Sequence, residues 1–333
     1  MIKVVVDAFG GDNAPDEIVK GAIEALNLRP DIKIILSGKK DKLSELIKDS
    51  PSLLDRIQII DAPDVITNDE SPTAAIRSKP KSSLVEGLNF LAADADAFVS
   101  AGSTGAVLTG ATFIVGRIRN VTRAALAPLL PCVDGSNVLL IDCGANVDCK
   151  PEMLLQFGIM GDAYMKAVGI KNPRVALLSN GTEKKKGNEL IKAAHLLLAE
   201  ADVNFVGNIE ARDIMSGSAD VIVADGFNGN IALKASEGTA LSILKLLKQA
   251  LTTSGLTAKI GGLLIKNSLK GLKSKIDYTE NGGAVFVGVN KVVVKAHGSS
   301  KAKTIRASII QAATIAETGL VEKITEALSD LSQ

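Results

Sequence analysis

Residues 97–116 read AFVSAGSTGAVLTGATFIVG, twenty positions without a charge. That is the length of a membrane span. Nine of the twenty are Gly, Ser or Thr, however, and they cluster as Ser100-Ala101-Gly102-Ser103-Thr104-Gly105. The pattern predicts a short buried strand, a glycine loop and a helix start, the unit from which parallel sheets are built. The same reading repeats on both sides of this stretch. Val4–Val6, Ile32–Leu36, Ile57–Ile60, Val138–Ile141, Val175–Leu178 and Val221–Val223 are short β-branched runs suited to strands covered on both faces. Helical stripes lie between them: Ile18, Ala22, Ala25 and Leu26 share a face, and similar stripes cross 81–93, 151–169, 187–201 and 230–253. The alternation predicts an α/β fold, a mainly parallel sheet in three layers with helices on both faces. Ala284–Val289 and Val292–Ala296 flank Asn290-Lys291 and add a late antiparallel hairpin, followed by a helical 301–332. No repeat, low-complexity linker or domain boundary interrupts the chain, so residues 1–333 read as one large unit.

Composition sets the outer bounds. The 333 residues are 46% hydrophobic and 3% aromatic, enough apolar material for a full core and too much for a disordered chain. Thirty-eight Lys and Arg against 37 Asp and Glu leave a net charge of +1, which argues against a globally basic nucleic-acid binder. Cys132, Cys143 and Cys149 lack CxxC spacing, and with only His195 and His297 they assemble no zinc set. They read as reduced core thiols of a cytoplasmic protein. A carboxylate at Asp7 precedes any apolar stretch of signal-peptide length.

Ligands of open parallel sheets sit beyond the carboxyl ends of the strands. Five strand ends here are followed by polar, glycine-bearing loops: 7–13, 100–105, 142–151, 179–188 and 225–230. Glycine permits close backbone approach, and free N–H groups at a helix start favour an anion. A plain βα turn also needs glycine, so no single loop decides; together they point to a polar anionic ligand. GxGxxG, GxxxxGK[ST] and GxSxG are all absent, which argues against dinucleotide, P-loop and serine-hydrolase chemistry and toward phosphate itself. No metal or organic cofactor is expected. Lys150 follows Asp148 by two residues, and Lys184, Lys185 and Lys186 precede Gly187-Asn188 at an expected helix start, as an anion site or a solvated basic run. His297 ends a strand before Gly298-Ser299-Ser300, as an acid or anion ligand or as an ordinary hydrogen-bonded histidine. His195, inside a helical stripe, reads as structural.

Eight stretches in order carry a resemblance over nearly the whole chain: DAFGGDNAP (7–15), SAGSTGA (100–106), ALAPLLP (125–131), DCGANVDCKP (142–151), NGTEKKKGNE (180–189), NIEARDI (208–214), DGFNGN (225–230) and KAHGSS (295–300). In these the chain resembles the bacterial phosphate acyltransferase family of phospholipid synthesis. Ser103 stands where that pattern has Asn, and Asn281 where an aromatic residue is common. The resemblance implies a fold like the isocitrate and isopropylmalate dehydrogenases, a homodimer, and transfer of an acyl group from acyl carrier protein to inorganic phosphate. The product would feed a downstream membrane acyltransferase. On this reading phosphate is the nucleophile, and the protein positions it and stabilises an oxyanion. Ser103, Thr104, Gly105, Gly181, Lys186, Asn188, Asp225 and Asn230 are then the expected phosphate and substrate contacts. Asn146, Lys150 and His297 are expected to polarise the carbonyl or protonate the thiolate, with Asp148 orienting Lys150. The alternatives are a dehydrogenase of the same fold and a non-catalytic scaffold for the carrier.

The segment 255–276 differs in composition. Ile265, Leu269, Leu272 and Ile276 fall on one helical face, and its only charges are Lys259, Lys266, Lys270, Lys273 and Lys275. A cationic face opposite an apolar one predicts either a helix lying in a bilayer interface, through Ile265, Leu269, Leu272, Lys266, Lys270 and Lys273, or a helix packed on the partner subunit. The family resemblance favours the first, a peripheral attachment to the membrane.

Overall fold

Val4, Val5 and Val6 are almost wholly inaccessible, as expected of β-branched residues covered from both sides. They form the middle of β1 (Ile2–Asp7), which lies between two parallel neighbours, β2 (Ile32–Gly38) and β4 (Ala97–Ser100). β3 (Ile57–Asp61) extends the sheet beyond β2. On the other side the late hairpin forms as predicted: β11 (Ala284–Val287) runs antiparallel to β12 (Val292–Lys295), and β12 is parallel to β4. β5 (Ala125–Ala127) closes that edge, giving a seven-stranded sheet of order β3-β2-β1-β4-β12-β11-β5.

The strands divide between two sheets, where the periodicity suggested one. Pro128 alone separates β5 from β6 (Leu129–Pro131), and β6 belongs to the second sheet. That sheet also contains β7 (Asn137–Ile141), β8 (Arg174–Ser179), β9 (Asn204–Glu210) and β10 (Val221–Val223), in the order β6-β7-β10-β8-β9. Two three-residue strands around a proline are too short for a period-two signal. The structure describes residues 1–253, 255, 261, 264–265, 271 and 282–329 of this computed structural model.

Helices α1 (Asp16–Leu28) and α9 (Ala302–Glu317) cover one face of the first sheet, and α4 (Ser83–Asp94) and α5 (Thr104–Gly110) cover the other. α6 (Pro151–Ala167) and α7 (Glu189–Glu200) pack on the second sheet. One apolar cluster includes Val6, Leu26 and Ile309 together with Leu139, Phe157 and Val175, and so runs through both sheets. The 301–332 helical stretch breaks at Gly319, whose φ of 65° is left-handed, and resumes as α10 (Leu320–Ala327). α8 (Gly226–Thr253) is the longest helix described, and Leu241, Ile243 and Leu246 along it are exposed. No helix among the described residues is long and apolar enough to cross a membrane. Of the residues expected at a bilayer, Lys266, Leu269, Lys270, Leu272 and Lys273 lie outside the described residues; Ile265 is exposed, and its N–H donates to the Gly261 carbonyl (3.1 Å).

Candidate active site

Three adjacent parallel strands of the first sheet end in Asp7, Ser100 and Lys295, with Lys295 in register with Ser100. Successive strand residues alternate faces, so these three project to the side occupied by α4. Asp7 is buried there. Its Oδ1 accepts from the Ser83 hydroxyl (2.6 Å) and its Oδ2 from Ser100 (2.7 Å). Burial pushes its pKa up, and the two hydroxyls oppose that rise. The Ser100 oxygen also accepts from the Gly102 N–H (3.0 Å), which fixes the glycine loop read first in the sequence.

Lys295 is only 8% exposed and donates to the carbonyl of Ala296. Burial draws its pKa down to about 8; Asp7 and Asp12 act against the fall, and Lys234 adds to it. It lines a cleft of about 250 Å³ between the two sheets, together with Thr104 at the start of α5, Asn230 and Lys234 on α8, and His297 beyond β12. Among the described residues, no Asp or Glu lines that cleft. Lys234 is paired with Glu237 (2.9 Å). His297 is exposed, and its Nδ1 accepts the Ser299 N–H (3.2 Å), which leaves Nε2 to carry the ring proton when the ring is neutral. Partial burial, then Lys234 and Lys295, lower its pKa, so the ring is neutral at pH 7. The Cys143 thiol also borders the cleft, but burial raises its pKa well above the usual thiol range, away from thiolate chemistry.

Asp142 underlies the opposite wall. It is fully buried, and its carboxylate accepts from the N–H groups of Leu126 (2.9 Å), Ala145 (3.1 Å) and Asn146 (2.7 Å) and from Asn146 Nδ2 (2.9 Å). It thereby ties the 142–146 loop of the second sheet to β5 of the first. The second donor of Asn146 goes to the Ala124 carbonyl (2.8 Å), so its amide braces the loop instead of facing a substrate carbonyl.

The other expected residues fall elsewhere. Asp148, Asn188 and Asp225 line a second, more open cleft of about 420 Å³ with Val147 and Phe227. Asn188 is the N-cap of α7, its side chain accepting from Ile191 N–H (3.0 Å). Asp225 accepts from the N–H groups of Phe227 (3.0 Å) and Asn228 (2.9 Å) and caps α8 in the same way. Lys150 precedes α6 and is exposed, and no ion pair joins it to Asp148 among the described residues. Lys184, Lys185 and Lys186 are exposed, and the Lys186 stem passes over Gly181. Gly105 packs on Pro72, and Ser103 is the residue before α5. Thus only Thr104, Asn230 and His297 of the expected set meet in the first cleft. His195 is structural, as read: it is buried, bonded to Asn208 Oδ1 (2.9 Å) and edge-on to Phe205. Lys295, Lys234 and Asp142 went unselected, although Lys295 follows the buried run Val292–Val294 and ends a strand, which is a legible signal.

A family model described as fatty acid synthesis protein matches residues 2–323. A phosphate acyltransferase of Clostridium acetobutylicum is 46% identical over 331 residues, covering 99% of both chains. Another, from Bacillus pumilus, is 49% identical over 318 residues, 95% of this chain and 94% of the relative. The chain belongs to the phosphate acyltransferase family. It is an acyltransferase of lipid biosynthesis, and neither the dehydrogenase nor the scaffold alternative is favoured. Among solved structures, a phosphotransacetylase from Streptococcus pyogenes superposes with a TM-score of 0.65 at 18% identity, covering 95% of this chain and 94% of that one. A 4-hydroxythreonine-4-phosphate dehydrogenase from Klebsiella pneumoniae gives 0.53 at 15% identity, covering 95% and 98%. These likenesses concern the fold, and they agree with the dehydrogenase-like three-layer architecture.

Proposed function

We propose that this acyltransferase takes its acyl group from acylated acyl carrier protein and passes it to inorganic phosphate, giving acyl phosphate and free carrier. The observation that carries this reading is a cleft at the strand ends lined by Lys234, Lys295 and His297 and, among the described residues, by no carboxylate. An oxygen of hydrogen phosphate attacks the thioester carbon, the tetrahedral oxyanion collapses, and the C–S bond breaks. The proton released by phosphate ends on the departing sulfur. The α5 start at Thr104, the Asn230 amide and the Nε2–H of His297 supply donors for the phosphate and the oxyanion. Asp148 in the second cleft and the exposed Lys150 and Lys186 serve the incoming carrier, while Asn188 and Asp225, which line the same cleft, cap α7 and α8. Purified protein mixed with acyl-ACP should form acyl phosphate, followed by mass spectrometry, only when phosphate is added. Release of free carrier without acyl phosphate would overturn this reading.

The same proposal includes a cytoplasmic homodimer that touches the membrane surface peripherally and hands its product to a membrane acyltransferase. The exposed Leu241, Ile243, Leu246, Leu264 and Ile265, and the acyl chain of the product, support it. Wild-type protein should sediment with anionic vesicles at low salt and be released as salt rises. Ile265→Glu combined with Leu269→Glu should abolish sedimentation while the dimer persists; wild-type protein that ignores vesicles would overturn the membrane contact.

A further inference from the structure

We propose that Lys295 holds the attacking phosphate, its side chain stationed in the cleft as the counter-charge of a dianion. The inference rests on the phosphate-acceptor reading above and assigns it a residue. Four observations meet at this side chain. It ends a parallel strand beside Ser100 and Asp7, on the sheet edge where ligands of such folds bind. It is more than nine-tenths buried, yet it borders the cleft. Its one hydrogen-bond acceptor among the described residues is the next residue's carbonyl, and no carboxylate lies within ion-pair distance of it there. The nearby acid Asp7 is held by two serine hydroxyls. Lys234, the other lysine of the cleft, already has Glu237. A buried ammonium without an ion-paired carboxylate is costly, and such groups concentrate where a ligand completes them. Burial draws its pKa down, and Asp7 and Asp12 offset the fall only in part.

This arrangement has a signature that a structural lysine lacks. In phosphate-free buffer at pH 7, Lys295→Met should melt higher than wild type, because it removes an uncompensated buried charge. Phosphate should raise the melting temperature of the wild type and leave that of Lys295→Met unchanged. The phosphate KM of the variant should rise at least about tenfold, as for loss of a charge-assisted contact, with the KM for acyl-ACP near the wild-type value. Lys295→Arg should keep part of the phosphate response. The wild type alone gives an independent test. Around Lys295 stand Asp7 and Asp12 from the β1 side, Lys234 from α8 and His297 beyond β12. Loss of the ammonium proton should weaken phosphate binding about tenfold per pH unit above the Lys295 pKa. A Lys295→Met protein with wild-type phosphate KM and an intact melting shift would overturn the assignment, as would phosphate affinity constant from pH 7.5 to 9.5. Wild-type protein that binds phosphate through Lys295 but makes no acyl phosphate would instead remove the acyl-transfer reading and leave this one standing.

Discussion

Asp142→Ala is expected to lower the unfolding free energy by about 3–5 kcal/mol, and acyl transfer with it. The carboxylate is inaccessible and accepts four hydrogen bonds, three of them from backbone N–H groups. Alanine leaves those three donors without an acceptor in the interior, at roughly 1–3 kcal/mol each before relaxation. It also unties β5 from the 142–146 loop, so the two walls of the cleft lose their common anchor. The pH dependence has a definite sign. Burial raises the pKa of Asp142 above its unfolded value, so the native state holds this proton more tightly than the unfolded chain does. Wild-type stability therefore falls as pH climbs from the ordinary carboxylate range through the raised value, and the margin over Asp142→Ala narrows as pH rises. Urea unfolding followed by far-ultraviolet circular dichroism at acidic and neutral pH measures both quantities. A loss below about 1 kcal/mol would mean that water replaces the carboxylate at little cost.

Gly229→Ala is expected to reduce kcat/KM by about a hundredfold, as misplacement of reacting groups by about 1 Å does. A Cβ at Gly229 would be driven into the Asp142 carbonyl. That carbonyl has little room to retreat, because Asp142 N–H is bound to Ala224 (3.0 Å) and its carboxylate to the four donors above. The start of α8 must move instead, and the helix carries Asn230 and Lys234 in the cleft. Overpacking of this kind costs about 1–3 kcal/mol in stability as well. Gly238→Ala on the same helix is the control: nothing lies within 4 Å of its added Cβ, and alanine should stabilise the helix by about 0.5–1 kcal/mol. Equal activity in the two variants would show that α8 does not set the geometry of the cleft.

How much of this was readable from the chain depends on the range of the interactions involved. Val4–Val6 and Val138–Ile141 declare themselves because burial on both faces demands continuous apolar runs, and the 284–296 hairpin because two apolar runs flank a short break. Its connection proves to be four residues, 288–291, and not Asn290-Lys291 alone. The split into two sheets hinges on Pro128 and two three-residue strands, where long-range pairing outweighs any local pattern. In the site, a polar residue beside glycine at a helix start has two meanings. Asn188 and Asp225 looked like ligand contacts and serve as caps, since backbone N–H groups and anions ask for overlapping chemistry. Asn146 was drawn inward by a carboxylate four residues earlier, a partnership that spacing alone does not announce. Lys295 reads in sequence as the polar end of a strand two residues before His297, and the strand alternation that buries Val293 also buries Lys295.

The interleaved strand order sets a timetable for synthesis. Residues 129–223 are contiguous and complete the five-stranded sheet by themselves, whereas the seven-stranded sheet waits for β11 and β12, the last strands to be made. Until then one edge of β4 has no neighbour and β5 has no sheet to join, the condition in which nascent chains pair with the wrong partner. A chain stopped before residue 284 keeps most of its loops and loses Lys295 and His297 together. On the assignment of Lys295 to phosphate, such a truncated product is expected to lack both the completed first sheet and the phosphate contact, so folding and substrate binding are acquired in one late step.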